Sequence, residues 1–516
     1  MTVLLNARQQ EAVLHTEGPL LILAGAGAGK TKTITERIVH IVQQGTDPRA
    51  ILAVTFTNKA AKEMRERIVH RLEEERVIET ENPYRHTPVI KTFHSLGLMI
   101  LSEYGDRLGL HKHPTILDSS DSLSIIKNAV EKLGIDPKMH DPSKIRSIIS
   151  REKSDFVSVA TYREKVVSAQ MDVVANVWRL YEEELKQQKA VDFDDLICRT
   201  VTMLENHEDV RAAYQKRFAY VHVDEYQDTN RAQYEFVKLL VNPHHNNICA
   251  VGDTDQNIYS WRGANVRNIM NFEHDFPGTH TVLLEENYRS TGNILTLANT
   301  SIKKNTVRKE KNLFTSQGEG DLIDIVPTWD ELSEAEWVAE KCKTLIGEGV
   351  ASEEIAVLYR ANFQSRVLEE SFIRANVQYN LLGTKFFERK EIKDLVSYIR
   401  ASVNPDSLSD IKRVINEPKR GIGKVALAKI FSGQAADLSG AAGGGYRDFQ
   451  NILHDIRKIC SEKIPSEVVR YAIHRSGMFT VYSNGSADER ERLETMEELV
   501  TYALRYDDFP ISEGLL

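Results

Sequence analysis

At 516 residues the chain exceeds what a single hydrophobic core supports, so several domains are expected. Its composition, 41% hydrophobic and 27% charged, is that of an ordinary soluble protein; no apolar run approaches a bilayer crossing, and the N-terminal stretch MTVLLNARQQEAV lacks the form of a secretory leader. A formal net charge of −9 argues against a protein coated in nucleic acid while leaving room for a local basic groove, and the scattered Cys198, Cys249, Cys342 and Cys460 read as free thiols of a reducing, cytoplasmic setting.

The first predicted element is a buried strand over residues 20–23, which runs into a string of small residues. Beyond them Ile34, Ile38, Ile41 and Val42 share one helical face. Short apolar runs follow at ILAVTFT (51–57), VIKTF (89–93), YVHV (220–223), ICAV (248–251) and TVLL (281–284). Each meets polar or Gly/Asp residues at its C-terminal end, with helical patterns between several of them. That is the signature of a parallel sheet with crossover helices, whose ligands gather at the strand ends.

Between about 95 and 190 the strand signal gives way to charged amphipathic helices such as VANVWRLYEEELKQQ (174–188), read as an insertion into the first domain. The run SIKKNTVRKEKN (301–312) is a candidate basic patch, with a solvated helix face as the plainer reading. A second alternation begins near 321: strand DLIDIV, helix ELSEAEWVAEKCKTLIGEG, strand EIAVLYR, helix QSRVLEESFIRANV, strand QYNLL. From about 388 the pattern is helical, and the glycine-rich stretch over 439–450 predicts a flexible joint.

The chemistry concentrates at the strand ends. Ala24, Gly25, Ala26, Gly27, Ala28, Gly29, Lys30 and Thr31 fit the phosphate-loop pattern with alanine at the first glycine position. Small residues let backbone N–H groups close around phosphate oxygens, Lys30 would reach the β and γ phosphates, and the Thr31 hydroxyl would ligate Mg²⁺. YVHVDEYQDTN supplies Asp224 for the metal shell and Glu225 to activate water, which favours hydrolysis over transfer to a small molecule. In VGDTDQNIYSWRGA, Gln256 sits where it would sense the γ phosphate, and Tyr259, Trp261 and Arg262 suit stacking on unpaired bases as well as ordinary packing. In LEENYRST, Tyr288 suits an adenine stack and Arg289 an arginine finger.

Taken together, LNARQQEAV, AGAGAGKT, AVTFTNKAAKEMRERI, TFHS, VDFDDLI, VDEYQDTN, VGDTDQNIYSWRGA, LEENYRST, AVLYRANFQSRVLEE, FFERKEIKD and EPKRGIG, unbroken from residue 5 to about 425, resemble the superfamily 1 DNA helicases of the UvrD/Rep/PcrA group. The resemblance implies an α/β fold. A RecA-like P-loop NTPase domain with a parallel sheet (1–94 and 191–288) would carry a helical insertion (95–190). A partial second RecA-like domain (289–387) would carry a helical insertion of its own (388–516). It implies ATP and Mg²⁺ as cofactors, with Gln9 reading the adenine edge and Lys32 near the base where relatives carry arginine. Phe56, Asn58, Thr92, His94, Tyr259, Trp261 and Arg262 would contact single-stranded DNA, joined by Arg360 and Asn362 from the second domain.

The implied activity is 3′→5′ translocation and duplex unwinding at single-strand/duplex junctions in repair or replication, alongside repair or replication proteins. The setting would be cytoplasmic and nucleoid-associated, with no membrane. Two motifs that relatives carry in their last third do not occur, so one expectation is a family member that binds ATP and DNA without unwinding alone. A P-loop kinase or switch, and a noncatalytic DNA-binding module, are the rivals from other classes.

Overall fold

The computed structural model describes residues 5–77, 87–110, 114–260, 263–381, 386–405, 407–435, 438–504 and 507, and the chain divides into two compact units, Met1–Asp324 and Ile325–Leu516. The first is built on a parallel sheet of six strands in the order β3-β2-β6-β7-β1-β8. These are β1 (Leu20–Ala24), β2 (Ile51–Thr55), β3 (Val89–Thr92), β6 (Tyr220–Val223), β7 (Ile248–Gly252) and β8 (His280–Leu284). A short ribbon of β4 (Thr115–Ile116) and β5 (Ala190–Val191) lies apart from it.

All residues of β1, β2 and β7 are buried, because helices cover both faces of the sheet and leave no side of these strands to water. The alternation of a strand divides the core accordingly. Leu21, Leu23, Leu52 and Val54 face one apolar cluster; Leu20, Ile22, Ile51 and Ala53 face the other. Ile34, Ile38, Ile41 and Val42 of α2 (Lys30–Gln43), following α1 (Ala7–Leu14), lie in the second cluster, as the helical spacing predicted, together with Ala61, Met64 and Ile68 of α3 (Asn58–Glu74). On the opposite face α4 (Phe93–Tyr104) contributes Phe93, Leu96 and Ile100.

The insertion forms α5 (Ser119–Lys132), α6 (Pro142–Ser154), α7 (Val159–Glu164) and α8 (Ala169–Gln188), with its own core around Trp178, Tyr181, Ile126 and Ile149. Phe156 packs it against the sheet-domain core, and an ionic tie adds to this. Lys153, fully enclosed on α6, lies 2.8 Å from each of Asp192, Asp195 and Glu182. These charges hold the Lys153 pKa well above its ordinary value despite burial. Two of the acids come from the VDFDDLI segment, so their role is to receive the insertion.

From residue 321 onward the structure departs from the sequence pattern. DLIDIV, EIAVLYR and the described part of QYNLL form no strand, and Leu322, Ile325 and Leu358 are largely exposed. An extended apolar segment becomes a strand only when a neighbour takes up its backbone N–H and C=O groups, and no described segment pairs with these. The predicted helices do form, at Glu331–Gly347 and Ser365–Arg374, and bury Cys342 and Phe372 together. Residues 289–324, which the resemblance groups with the second domain, fall in the first compact unit.

The glycine-rich joint is also corrected: Gly440–Glu462 is one helix. Phe449, Ile452 and Ile456 bury its apolar face, and its glycines serve close approach. A Cβ on Gly445 would stand 2.1 Å from the Arg420 carbonyl oxygen. Among the described residues no helix is long and apolar enough to cross a membrane.

Candidate nucleotide and nucleic-acid site

The loop after β1 turns through left-handed backbone at Gly27 (φ 70°) and Gly29 (φ 82°), conformations glycine adopts freely, and delivers Lys30 as the first residue of α2. Backbone N–H groups at this helix start are available to an anion. The loop is braced by the segment after β8. Asn287, buried, donates from Nδ2 to the Ala26 carbonyl (2.5 Å), and its Oδ1 accepts from the backbone N–H groups of Arg289 (2.8 Å) and Ser290 (2.6 Å). The Tyr288 N–H donates to the Gly27 carbonyl at 3.0 Å. A Cβ on Gly27 would lie 2.8 Å from the Cβ of Arg289, so the exposed Arg289 starts directly beside the phosphate loop.

Gln9 approaches from the other side. Buried on α1, it donates from Nε2 to the Ala28 carbonyl (3.0 Å), while its Oε1 accepts the Asn6 N–H in a capping box. Asn6 Nδ2 in turn donates to the Tyr288 hydroxyl at 2.8 Å, so Gln9 and Tyr288 border one edge of the loop. Lys32 is exposed on the outer side of α2.

The acids stand opposite. Asp224 follows β6 and is buried; burial and the neighbouring Glu225 charge push its carboxyl up to about 7. Glu225 adopts left-handed backbone (φ 49°), and its Oε2 accepts from Lys30 Nζ (2.9 Å) and from Gln227 Nε2 (2.9 Å). Gln227, also buried, accepts the Asp253 N–H on its Oε1 (3.0 Å), and Asp253 Oδ2 accepts from Gln256 Nε2 (2.5 Å). A continuous hydrogen-bonded chain thus runs Lys30, Glu225, Gln227, Asp253, Gln256.

Thr31, Asp224, Glu225 and Gln256 share a cavity of about 1660 Å³ with Phe56, Asn58, Thr92, His94 and Tyr259. Phe56 packs at 5.4 Å on Phe93, and Asn58 opens α3. Thr92 caps α4, accepting the Ser95 N–H at 3.2 Å. His94 stacks on Phe193 (centroids 3.9 Å, 24° between planes), and burial lowers its pKa to about 4, so the ring is neutral at physiological pH. Phe193 stays 57% exposed and Tyr259 40%, and both line the cavity. Trp261 and Arg262 lie outside the described residues. Arg360 and Asn362 belong to the second unit, where Arg360 is exposed and Asn362 is tied to Glu491 and, through its carbonyl, to Arg389 (2.9 Å).

Three residues escape sequence reasoning: Asn287, Gln227 and Phe193. Each lies inside a recognisable motif, yet amide side chains and a lone phenylalanine carry no chemistry that stands out until their partners are in place.

Residues 5–277 match the UvrD/REP helicase N-terminal domain and residues 282–440 the UvrD-like helicase C-terminal domain. The chain is 40% identical over 524 residues to the ATP-dependent DNA helicase PcrA of Leuconostoc citreum, covering 98% of this chain and 69% of that protein. It is 39% identical to the PcrA of Staphylococcus epidermidis over 99% of this chain and 72% of that one. Against the PcrA of Bacillus subtilis it is 45% identical over 83% of this chain and 57% of the other.

Proposed function

This chain belongs to the UvrD/REP helicase family as an ATP-dependent DNA helicase of repair or replication, and we propose that one cavity of its first unit both hydrolyses ATP and grips single-stranded DNA. The observation that carries this reading is the Lys30–Glu225 ion pair at 2.9 Å, whose carboxylate lines the same cavity as Phe193 and Tyr259.

Lys30 and Glu225 satisfy each other. The phosphates of ATP, carrying more charge than one carboxylate, would take Lys30 and release Glu225. Glu225, still held by Gln227 Nε2, would then accept a proton from the attacking water. The small-residue loop would cradle the phosphates, Gln256 would meet the γ phosphate, and Arg289, rooted against Gly27, would stabilise charge developing on it. Gln9 and Tyr288 would hold the adenine.

The residues present fit Mg²⁺. A hydroxyl (Thr31) and a carboxylate (Asp224) lining one cavity are hard oxygen donors. Among the described residues no group of three or more His, Cys, Asp or Glu could hold a metal alone, so the ion would share its shell with the phosphates. Bound there, it would draw negative charge from the phosphate oxygens.

On the nucleic-acid side, Tyr259, Phe193 and the neutral His94 offer π-faces to unpaired bases, with Phe56, Asn58 and Thr92 beside them and Trp261 and Arg262 following Tyr259 in sequence. Arg360 and Asn362 are proposed as single-strand contacts of the second unit itself. The proposed direction is 3′→5′, on a single strand leading to a duplex junction.

The test is ATP turnover with and without a single-stranded oligonucleotide. Turnover should rise with the strand, Lys30→Ala should lower it at least 100-fold, and Tyr259→Ala should blunt the stimulation. Turnover indifferent to the strand would refute the coupling.

A further inference from the structure

The basic run 301–312 divides: Lys303 and Lys304 are exposed, whereas Arg308, Lys309 and Lys311 are turned onto acids of the first unit. Lys311, almost wholly enclosed, pairs with both Asp253 and Asp255. Arg308 reaches Asp255 at 3.0 Å and the Lys311 carbonyl at 3.2 Å. Lys309 pairs with Glu273 at 2.6 Å, further from the site.

The chain then continues as a strap across the ends of β7 and β8. The Asn312 N–H donates to Glu285 Oε1 (2.7 Å), and the Phe314 N–H donates to the Glu285 carbonyl (3.0 Å). The Asn287 N–H donates to the Phe314 carbonyl (2.7 Å). Leu313 fills the space that a side chain at Gly25 of the phosphate loop would occupy.

Asp253 is the anchor of Gln256. Its two oxygens serve Gln256 Nε2 (2.5 Å) and the Asp255 N–H (2.9 Å), and its own N–H is held by Gln227. Two enclosed carboxylates, Asp253 and Asp255, so close together repel each other unless a cation stands between them. Lys311 is the cation that touches both, while Arg308 reaches Asp255 alone.

We propose that Lys311 is a positioning residue for ATP hydrolysis: by neutralising Asp253 and Asp255 it fixes the Asp253 carboxylate, and so the Gln256 amide, facing the nucleotide. The inference rests on the hydrolytic reading above. The strap thereby links the stretch leading toward the second unit to the γ-phosphate side of the site, through Lys311 on Asp253 and Leu313 on Gly25.

The test compares the full chain with Lys311→Met and, as a control, Glu273→Gln. The control loosens the same strap at Lys309 without touching Asp253. Two readouts are taken: ATP turnover at saturating single-stranded DNA, and amide hydrogen exchange over residues 253–257. Lys311→Met should lower kcat at least tenfold with the ATP KM within threefold, and should speed exchange at Asp255 and Gln256 at least tenfold. Glu273→Gln should match the parent in both.

Parental exchange in Lys311→Met overturns the proposal, as does parental kcat in a parent that hydrolyses ATP. An equal loss in Glu273→Gln also overturns it, by reducing Lys311 to a staple. A parent without ATP turnover would defeat the hydrolytic reading instead, and hydrogen exchange alone would then decide whether Lys311 fixes Asp253.

Discussion

Glu225→Gln separates the two roles that the Lys30–Glu225 pair gives one carboxylate. The substitution keeps the shape and leaves an amide oxygen to accept from Gln227, but it removes the proton acceptor and the charge facing Lys30. Loss of a general base lowers a rate by about 10²–10⁴-fold, equivalent to about 3–5.5 kcal/mol on the barrier. Nucleotide binding should move the other way. Glu225 competes with phosphate for Lys30, but its side chain is 36% exposed, so solvent screens the pair to about 0.5–1 kcal/mol. Releasing that competition tightens nucleotide affinity by about 2–5-fold. The assay is single-turnover hydrolysis with saturating single strand, beside equilibrium titration with a fluorescent ATP analogue. Turnover within threefold of the parent, or affinity weakened tenfold, would refute the reasoning and make Glu225 a structural support for Lys30.

Lys153→Met should destabilise the first unit by about 3–5 kcal/mol, since it strands Asp192 as an enclosed carboxylate without its cation and leaves Asp195 to Arg199 alone; the shift in urea midpoint measures this, and a change below about 1 kcal/mol would contradict it. Phe193→Ala should weaken single-strand affinity by about 1–3 kcal/mol, read by fluorescence anisotropy, with ATP affinity in the absence of DNA unchanged. His222, fully enclosed in β6, has its pKa lowered to about 3, chiefly by burial and further by Arg37. Its neutral form is the folded one, so its contribution is complete above the unfolded pKa of about 6.5 and is lost as the pH falls below that value, reaching about 2 kcal/mol at pH 5. Urea midpoints at pH 7 and pH 5 should therefore fall further for the parent than for His222→Gln, and equal shifts would exclude His222 as the cause.

What the sequence by itself determined about this protein was local. Alternation and small residues are properties of neighbours along the chain, so the six parallel strands, the small-residue loop before Lys30, and the acids after β6 were all legible before any contact was known. The segments DLIDIV and EIAVLYR carry an equally good strand pattern and yet form none, because a strand also needs a partner that its own residues do not encode. The glycines near 443 read as a joint but let a helix approach the Arg420 backbone, and only packing distinguishes those uses.

The same division runs through the site. Lys30, Asp224, Glu225 and Gln256 were recognisable because each bears reactive chemistry at a strand end. What tertiary structure decided was their wiring: Gln227 joining Glu225 to Asp253 across 26 residues, and Lys311 reaching Asp253 across 58. Spacing along a chain carries no record of such meetings, since an amide or a lysine far off in sequence looks like any surface residue. Burial changes its worth, because an enclosed carboxylate must find a donor or a cation, and the fold chose which one each acid found.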